Sequence, residues 1–416
     1  MRQLAPSVHC SVRKPMKVVL AGYGSRGDVE PCAAVGRELL RRGHAVRMAV
    51  PPNMVGFVES AGLAAATYGP DSREQLNPAS DLVRNLATKI QNPISVLTEV
   101  VEHVSHVHAE KSTALTSLTD GADLLVTSFN EQGLAANVAE YHGIPLAALH
   151  FFPARIWASG GPATLIMKAA EDAQRRALGL PEATGPVTPP LEIQAYDELC
   201  LPGPAFEWVE PNRRRPFVGA LTLQLPTDSD DEVLSWIAAG TPPIYFGFGS
   251  TPIASAADTV AMISGACARL GERALICCGP NDFHGLPHSD SVKMVAEVNH
   301  AAILPECRAV VHHGGAGTTA ACMRAGIPML ILWLWLDQPI WAAAVTRLEV
   351  GAGRPFSATT QDSLVADLRA ILAPACVAKA REVAAQMTVP AKSVATAGDL
   401  LEGLTMPRSR RAARHP

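Results

Sequence analysis

Three places in this 416-residue sequence bring together residue types that could do chemistry. The richest is His312-His-Gly-Gly-Ala-Gly-Thr-Thr319, which follows the apolar run Ala309 to Val311 and leads into helix-tolerant residues ending at Gly326-Ile327-Pro328. Strand, glycine turn and helix start, in that order, make an anion site. The first backbone N–H groups of a helix lack internal partners, and the helix dipole adds positive potential at the same point. Gly314, Gly315 and Gly317 let a diphosphate approach the backbone closely. His312 and His313 stand at the strand's end, where an imidazole N–H can donate to the same phosphates. The stretch reads as a cradle for a nucleotide diphosphate.

The second place is Asp28, directly after Gly22-x-Gly24-x-x-Gly27. A carboxylate at a helix start is ordinarily an N-cap, and Glu30 with Pro31 fits a first turn. Capping does not exclude chemistry, because the carboxyl ends of parallel strands are where such sheets meet their ligands. The third is Asp337-Gln338, which offers carboxylate acceptors plus an amide donor and acceptor, enough to grip adjacent sugar hydroxyls. Its plain structural account is an N-cap for a helix starting at Pro339.

The elements that must position these groups alternate strand and helix. A strand spans Met16 to Ala21, a helix Val29 to about Arg42, and strands follow at Ala45 to Val50 and Leu63 to Thr67. Asp71 to Asp120 reads as largely helical, broken at Asn77-Pro78 and Asn92-Pro93. Strands at Asp123 to Thr127 and Pro145 to His150 flank a helix from Glu131 to Tyr141. Phe151 to Glu210 is rich in Pro and Gly and reads mostly as connection, with one helix near Ala163 to Leu178. A second alternating set begins at Pro243 to Ser250 and runs through the cradle, whose helix opens at Thr318. Beyond the strand Met329 to Trp335 only helices are expected, to about Leu404.

Bulk properties narrow the class. A 48% apolar composition supports large cores, and a formal charge of −4 gives no global pull toward nucleic acid. Nine cysteines are scattered without a CxxC pair, which fits a reducing, cytoplasmic setting better than a disulfide framework. The longest apolar run, Ile327 to Leu336, is too short to span a bilayer. His103, His106 and His108 could be drawn as a metal cluster, but on a helix His108 leaves the face of the other two, so no metal site is assigned.

Both glycine turns satisfy a dinucleotide fingerprint, Gly22-x-Gly24-x-x-Gly27 and Gly315-x-Gly317-x-x-Ala320, so an NAD(P)- or flavin-dependent oxidoreductase is the rival reading. The first copy fails on charge, since Asp28 stands where a pyrophosphate would lie. The second keeps Asp337 about where a ribose-binding acid falls, but leaves Gln338 and the paired histidines unexplained. A sugar-nucleotide epimerase or a non-catalytic binder would use the same cradle without an acceptor.

Together, Gly24-Ser-Arg-Gly-Asp-Val-Glu-Pro31, Tyr245-Phe-Gly-Phe-Gly-Ser250, the His312 to Thr319 string and Asp337-Gln-Pro339 resemble, in order, the motifs of inverting GT-B glycosyltransferases. That family includes vancomycin-type antibiotic enzymes, sterol glucosyltransferases and actinobacterial glycolipid enzymes. The resemblance covers about Met16 to Leu404. It implies α/β architecture, with two Rossmann-like, doubly wound parallel-sheet domains facing across a cleft. The expected layout is a leader (1–15), an acceptor-binding domain (16–210), a linker (211–225) and a nucleotide-sugar domain (226–388). A helix (389–404) then returns to the first domain, before a basic, disordered tail (405–416).

The resemblance also implies roles. Asp28 takes the position of the general base. Ser250, His313, Gly315, Gly317 and Thr318 take those of donor-diphosphate contacts, and Asp337 with Gln338 those of the sugar contacts. Val298 and Asn299 fall where the base is held. The expected substrates are a UDP- or dTDP-sugar and a hydrophobic, hydroxyl-bearing acceptor, with no cofactor or metal required. Contact with the inner face of a membrane is compatible with the basic tail. One departure is the segment Phe151 to Glu171, shorter than in many relatives, which bears on the acceptor pocket.

Overall fold

Among the described residues, runs of small and β-branched apolar residues, many bounded by glycine or proline, form most of twelve strands in two sheets. A computed structural model of the chain describes residues 14–73, 93–153, 162–183, 189–200 and 214–405, except 252, 254, 280, 282–288 and 336. Most of the expected leader and tail, the break at Asn77-Pro78 and the start of the linker lie outside the described residues.

The first sheet is parallel. It holds β1 (Lys17–Ala21), β2 (Ala45–Val50), β3 (Ala64–Thr67), β4 (Leu124–Ser128), β5 (Leu146–His150) and β6 (Leu191–Gln194), in the order β3-β2-β1-β4-β5-β6. The second, also parallel, holds β7 (Ile244–Gly247), β8 (Ala274–Cys277), β9 (Val292–Val295), β10 (Ala309–His312), β11 (Met329–Trp333) and β12 (Gly351–Pro355), ordered β12-β11-β10-β7-β8-β9. Counted from each sheet's own first strand, the two orders are the same. In both, the chain reverses direction across the sheet beside the first strand, which opens a crevice there.

Both faces of each sheet are covered, and alternation along a strand shows it. Val18 and Leu20 of β1 join one core, Val19 and Ala21 another. Val310 of β10 likewise separates from Ala309 and Val311.

Four expectations need correction. The first helix starts at Arg26, not Val29, and the cradle helix at Ala316, not Thr318. The stretch read as connection contains the fully buried edge strand β6. The stretch read as helical after β11 contains β12, whose Gly-Ala-Gly-Arg-Pro carries no strand signal and is ordered by pairing with β11.

Two passages join the halves, one through Phe217 to Thr222 and one at Thr388 and Val389. Gly219, at φ +80°, lies so close to Thr388 that a Cβ would come within 2.6 Å of its Cβ. Arg324, in the last turn of the Ala316–Ala325 helix, ties both passages together. Its guanidinium donates to Thr388 O at 2.9 Å, Ala220 O at 2.7 Å, Thr222 Oγ1 at 3.0 Å and Ser393 Oγ at 3.3 Å. The Pro390–Leu404 helix then lies on the Arg26–Arg41 helix. There Arg42 donates to Asp399 at 2.7 Å and Ala395 O at 2.8 Å, and Ala397 and Leu401 enter the first sheet's core. No described helix is long and apolar enough to cross a membrane.

Arg324→Met strands two part-buried carbonyl acceptors at once, and each orphaned group costs about 1–3 kcal/mol. Urea denaturation is expected to show a loss of about 2–4 kcal/mol. A loss below about 0.5 kcal/mol, the usual ceiling for an unremarkable surface change, would mean that Arg324 does not hold the passages together.

Candidate functional site

At the reversal point of the first sheet, the chain leaves β1 through Gly22 to Ser25 and enters the Arg26–Arg41 helix. Ser25 is the N-cap, so Asp28 is the third helical residue and not the cap itself. Its carboxylate reaches back, Oδ2 accepting from Ser25 N–H at 2.7 Å and Ser25 Oγ–H at 3.0 Å. Gly24 has φ +135°, and a Cβ there would collide with Asp28 Oδ2. The carboxylate therefore fills the glycine turn that a dinucleotide pyrophosphate would need, which removes the physical basis for the first fingerprint. Burial pushes Asp28 up to about 6; the Ser25 hydrogen bonds oppose this, while the charges of Asp337 and Glu131 add to it.

The corresponding point of the second sheet lies between β7 and β10. Gly249 and Ser250 follow β7, with Ser250 exposed. His313 follows β10, and Gly315 caps the Ala316–Ala325 helix with no side-chain hydrogen bond to its first N–H groups. Those donors are open for a ligand, with Gly317 exposed and Thr318 half-buried beside them. The His313 ring is slotted between two glycines. A Cβ on Gly249, at φ +58°, would come within 2.6 Å of ring Cε1, and one on Gly315 within 2.7 Å of Nε2. Burial lowers His313 to about 4, against a slight lift from the Gly247 carbonyl, so it is a neutral donor at pH 7.

The neighbouring histidine does not share this position. His312, the last residue of β10, is 0% exposed and its Nδ1 accepts from Gly314 N–H at 3.1 Å. The expectation that both imidazoles face a ligand therefore fails. Adjacent strand residues point to opposite faces, and only His313 has left the strand.

Asp337 occupies the N-cap of the Gln338–Arg347 helix but does not cap it. Its Oδ2 accepts from Trp341 Nε1 at 2.9 Å, and burial raises its pKa despite that bond. Gln338 spends its side-chain oxygen on the loop, accepting from Leu334 N–H at 2.7 Å and Trp335 N–H at 3.2 Å. Only its NH2 remains to offer a ligand, less than the donor and acceptor expected. That grip also holds Trp335, which is 38% exposed. The Val298 side chain is buried in the core, and Asn299 caps the next turn by accepting from Ala301 N–H at 3.1 Å, so these two can offer a ligand mainly backbone.

Across the cleft the two sets approach each other. Asp337 is near enough for its charge to raise the pKa of Asp28, and Arg26 Nη1 lies 4.0 Å from Glu297. Sequence reasoning missed Asn130, whose Nδ2 donates to Asp28 Oδ1 at 3.0 Å. Its one detectable signal is its place just past the end of β4, the strand beside β1. His108 turns inward to Gln174 while His103 and His106 stay exposed, and no cluster of three metal-binding side chains occurs among the described residues.

Residues 18–155 match the glycosyltransferase family 28 N-terminal domain, and residues 279–402 the erythromycin biosynthesis protein CIII-like C-terminal domain. The chain is 59% identical to an uncharacterized glycosyltransferase of Mycobacterium tuberculosis, over 93% of this chain and 98% of that one. It is 28% identical to the vancomycin aglycone glucosyltransferase of Amycolatopsis orientalis, over 91% and 96%. Among solved structures, the calicheamicin glycosyltransferase CalG4 superposes with a TM-score of 0.72 at 18% identity, covering 94% of this chain and 98% of that one. The glycosyltransferase VinC, solved in complex with dTDP, gives 0.65 at 20%, covering 96% and 100%.

Gly249→Ala places a methyl group where the His313 ring lies, at a φ that L residues avoid. The His313 ring resonances are expected to move in a histidine-labelled NMR spectrum, with about 1 kcal/mol of stability lost. Unchanged resonances would mean that the glycines do not form the slot.

Proposed function

The chain belongs to the GT-B glycosyltransferases of the UDP/dTDP-sugar type, and from that premise we propose that it transfers a sugar with inversion from a UDP- or dTDP-sugar to a hydroxyl of a hydrophobic acceptor. The observation that carries this reading is the meeting of unlike groups at two matching crevices. A half-buried carboxylate in one domain lies close enough to Asp337 of the other to feel its charge, and that other domain holds an open helix N-terminus and a neutral imidazole.

Asp28 is the base in this reading. As the acceptor oxygen forms its bond to the anomeric carbon, the hydroxyl proton passes to Asp28. The bond from that carbon to the diphosphate oxygen breaks, and its electron pair leaves with the nucleotide diphosphate. Negative charge growing on the leaving oxygens falls on the N–H groups of Gly317 and Thr318 and on His313, with Ser250 beside them. These donors are fixed in advance by the glycine turn, so little reorganisation accompanies the step. A carboxylate near 6 is a stronger base than a free one yet remains ionised at neutral pH. Asp337 and the amide NH2 of Gln338 hold the donor sugar, and the backbone at Val298 and Asn299 lies along the base.

On the first-domain side the half-buried ring of Phe129, edge-on to Phe152 at 5.3 Å, supports a hydrophobic acceptor. The relative named for an antibiotic aglycone favours secondary-metabolite synthesis, and the motif resemblance to actinobacterial glycolipid enzymes keeps envelope glycolipid beside it.

Asp28→Asn is expected to bind dTDP or UDP as the native protein does while losing about 10²–10⁴-fold in turnover. The ionised form is active, so native kcat/KM should rise with pH along a single limb centred near 6. Normal transfer by Asp28→Asn would remove Asp28 as the base, and a limb centred near 4 would mean that burial does not raise it. His313→Ala should weaken dTDP binding about 10–100-fold in calorimetry; unchanged affinity would place the diphosphate elsewhere.

A further inference from the structure

Asn130 is placed with more care than an exposed loop residue requires. β1 and β4 pair in register, Ala21 opposite Thr127, so the turns after them set Asp28 and Asn130 side by side. Both neighbours of Asn130 are anchored. The Phe129 ring stands edge-on to His150 at 5.4 Å and to Phe152 at 5.3 Å. Glu131 is 3% exposed, takes Lys111 Nζ at 2.8 Å and accepts the Tyr68 hydroxyl. The exposed amide between them is held in position against Asp28.

Asp28 decides which way that amide faces. An ionised carboxylate only accepts, so the Asn130 NH2 must point at Oδ1 and its carbonyl oxygen must point away. Among the described residues no donor reaches that oxygen. The carboxylate and the amide thus present acceptor oxygens side by side, one of which a lone hydroxyl would leave unmatched.

We propose that Asn130 determines acceptor specificity, its Oδ1 accepting from a hydroxyl next to the one Asp28 deprotonates, so that the favoured acceptor carries a vicinal diol of carbohydrate type. The inference rests on Asp28 as the base and narrows the acceptor to a glycosylated molecule. A single alcohol could occupy the base but would displace water from the exposed amide oxygen without replacing its donor, and a site built to bond a hydroxyl penalises the analogue that lacks it.

The test uses octyl β-glucopyranoside, its monodeoxy counterparts and cyclohexylmethanol as acceptor probes with UDP- and dTDP-glucose. Measurements at pH 8 keep Asp28 ionised in native protein and in Asn130→Ala alike. The native protein is expected to prefer the full glycoside over at least one monodeoxy form by about 10-fold or more in kcat/KM. Asn130→Ala should lower transfer to the full glycoside about 10-fold further than to that monodeoxy form, with dTDP affinity and thermal unfolding showing an intact donor site and fold. Equal losses on both acceptors, no native preference, or transfer to none of the glycosides would overturn the proposal. Asp28→Asn in the same series separates the two readings. Transfer surviving there removes the base, while the acceptor preference is still scored on Asn130→Ala.

Discussion

A carboxylate that has lost much of its water must be kept ionisable by fixed donors, and at Asp28 those donors belong to Ser25 and Asn130. Burial and the facing acids Asp337 and Glu131 favour the neutral form, while the Ser25 N–H and hydroxyl favour the anion, and the outcome is a group near 6. The balance costs stability. Because Asp28 is raised from 3.8, its ionisation opposes folding progressively as pH climbs from about 4 to 6, and the penalty is complete above that. The capping box offsets part of it by satisfying the helix start. The same hydrogen bonds therefore begin the helix, hold the carboxylate across the glycine turn and set its basicity.

The second crevice repeats the topology with the opposite electrostatics. Where the first sheet's crevice holds a side-chain anion, the second leaves helix N–H groups without a cap and sets a neutral imidazole between two glycines. Neutrality suits that role. A cationic imidazole buried among apolar residues would be costly without a bound anion, whereas a neutral N–H donor waits at little cost. Its charge state follows the ligand, since an arriving diphosphate would raise its pKa.

The helix carrying those N–H groups has Arg324 in its last turn, and Arg324 bonds both passages between the domains. One helix therefore links the anion site to the chain segments that join the halves. The chain's last long helix adds a third tie by packing on the helix that begins beside Asp28. Opposing groups in separate domains gain meaning only through such ties, because a general base must come within hydrogen-bonding reach of its proton.

Local signals were enough for much of this. Short continuous apolar runs marked most strands, and the order of strand, glycine turn and helix marked both crevices, because these patterns are short-range consequences of sterics and backbone hydrogen bonding. They also singled out Asp28, the His312-His313 pair and Asp337. Other features depend on neighbours distant in the chain. β12 is a strand because β11 pairs with it, β6 because β5 does, and His312 is buried because it is still in a strand when His313 has left it. The acceptor oxygen of Gln338 is consumed by a loop that no spacing revealed, and Asn130 touches Asp28 only because β4 lies beside β1. Residue types and spacing determine which chemistry a segment can offer. Which atoms remain free to perform it is decided by tertiary hydrogen bonding and burial, since these consume donors and acceptors across separations that no sequence window spans.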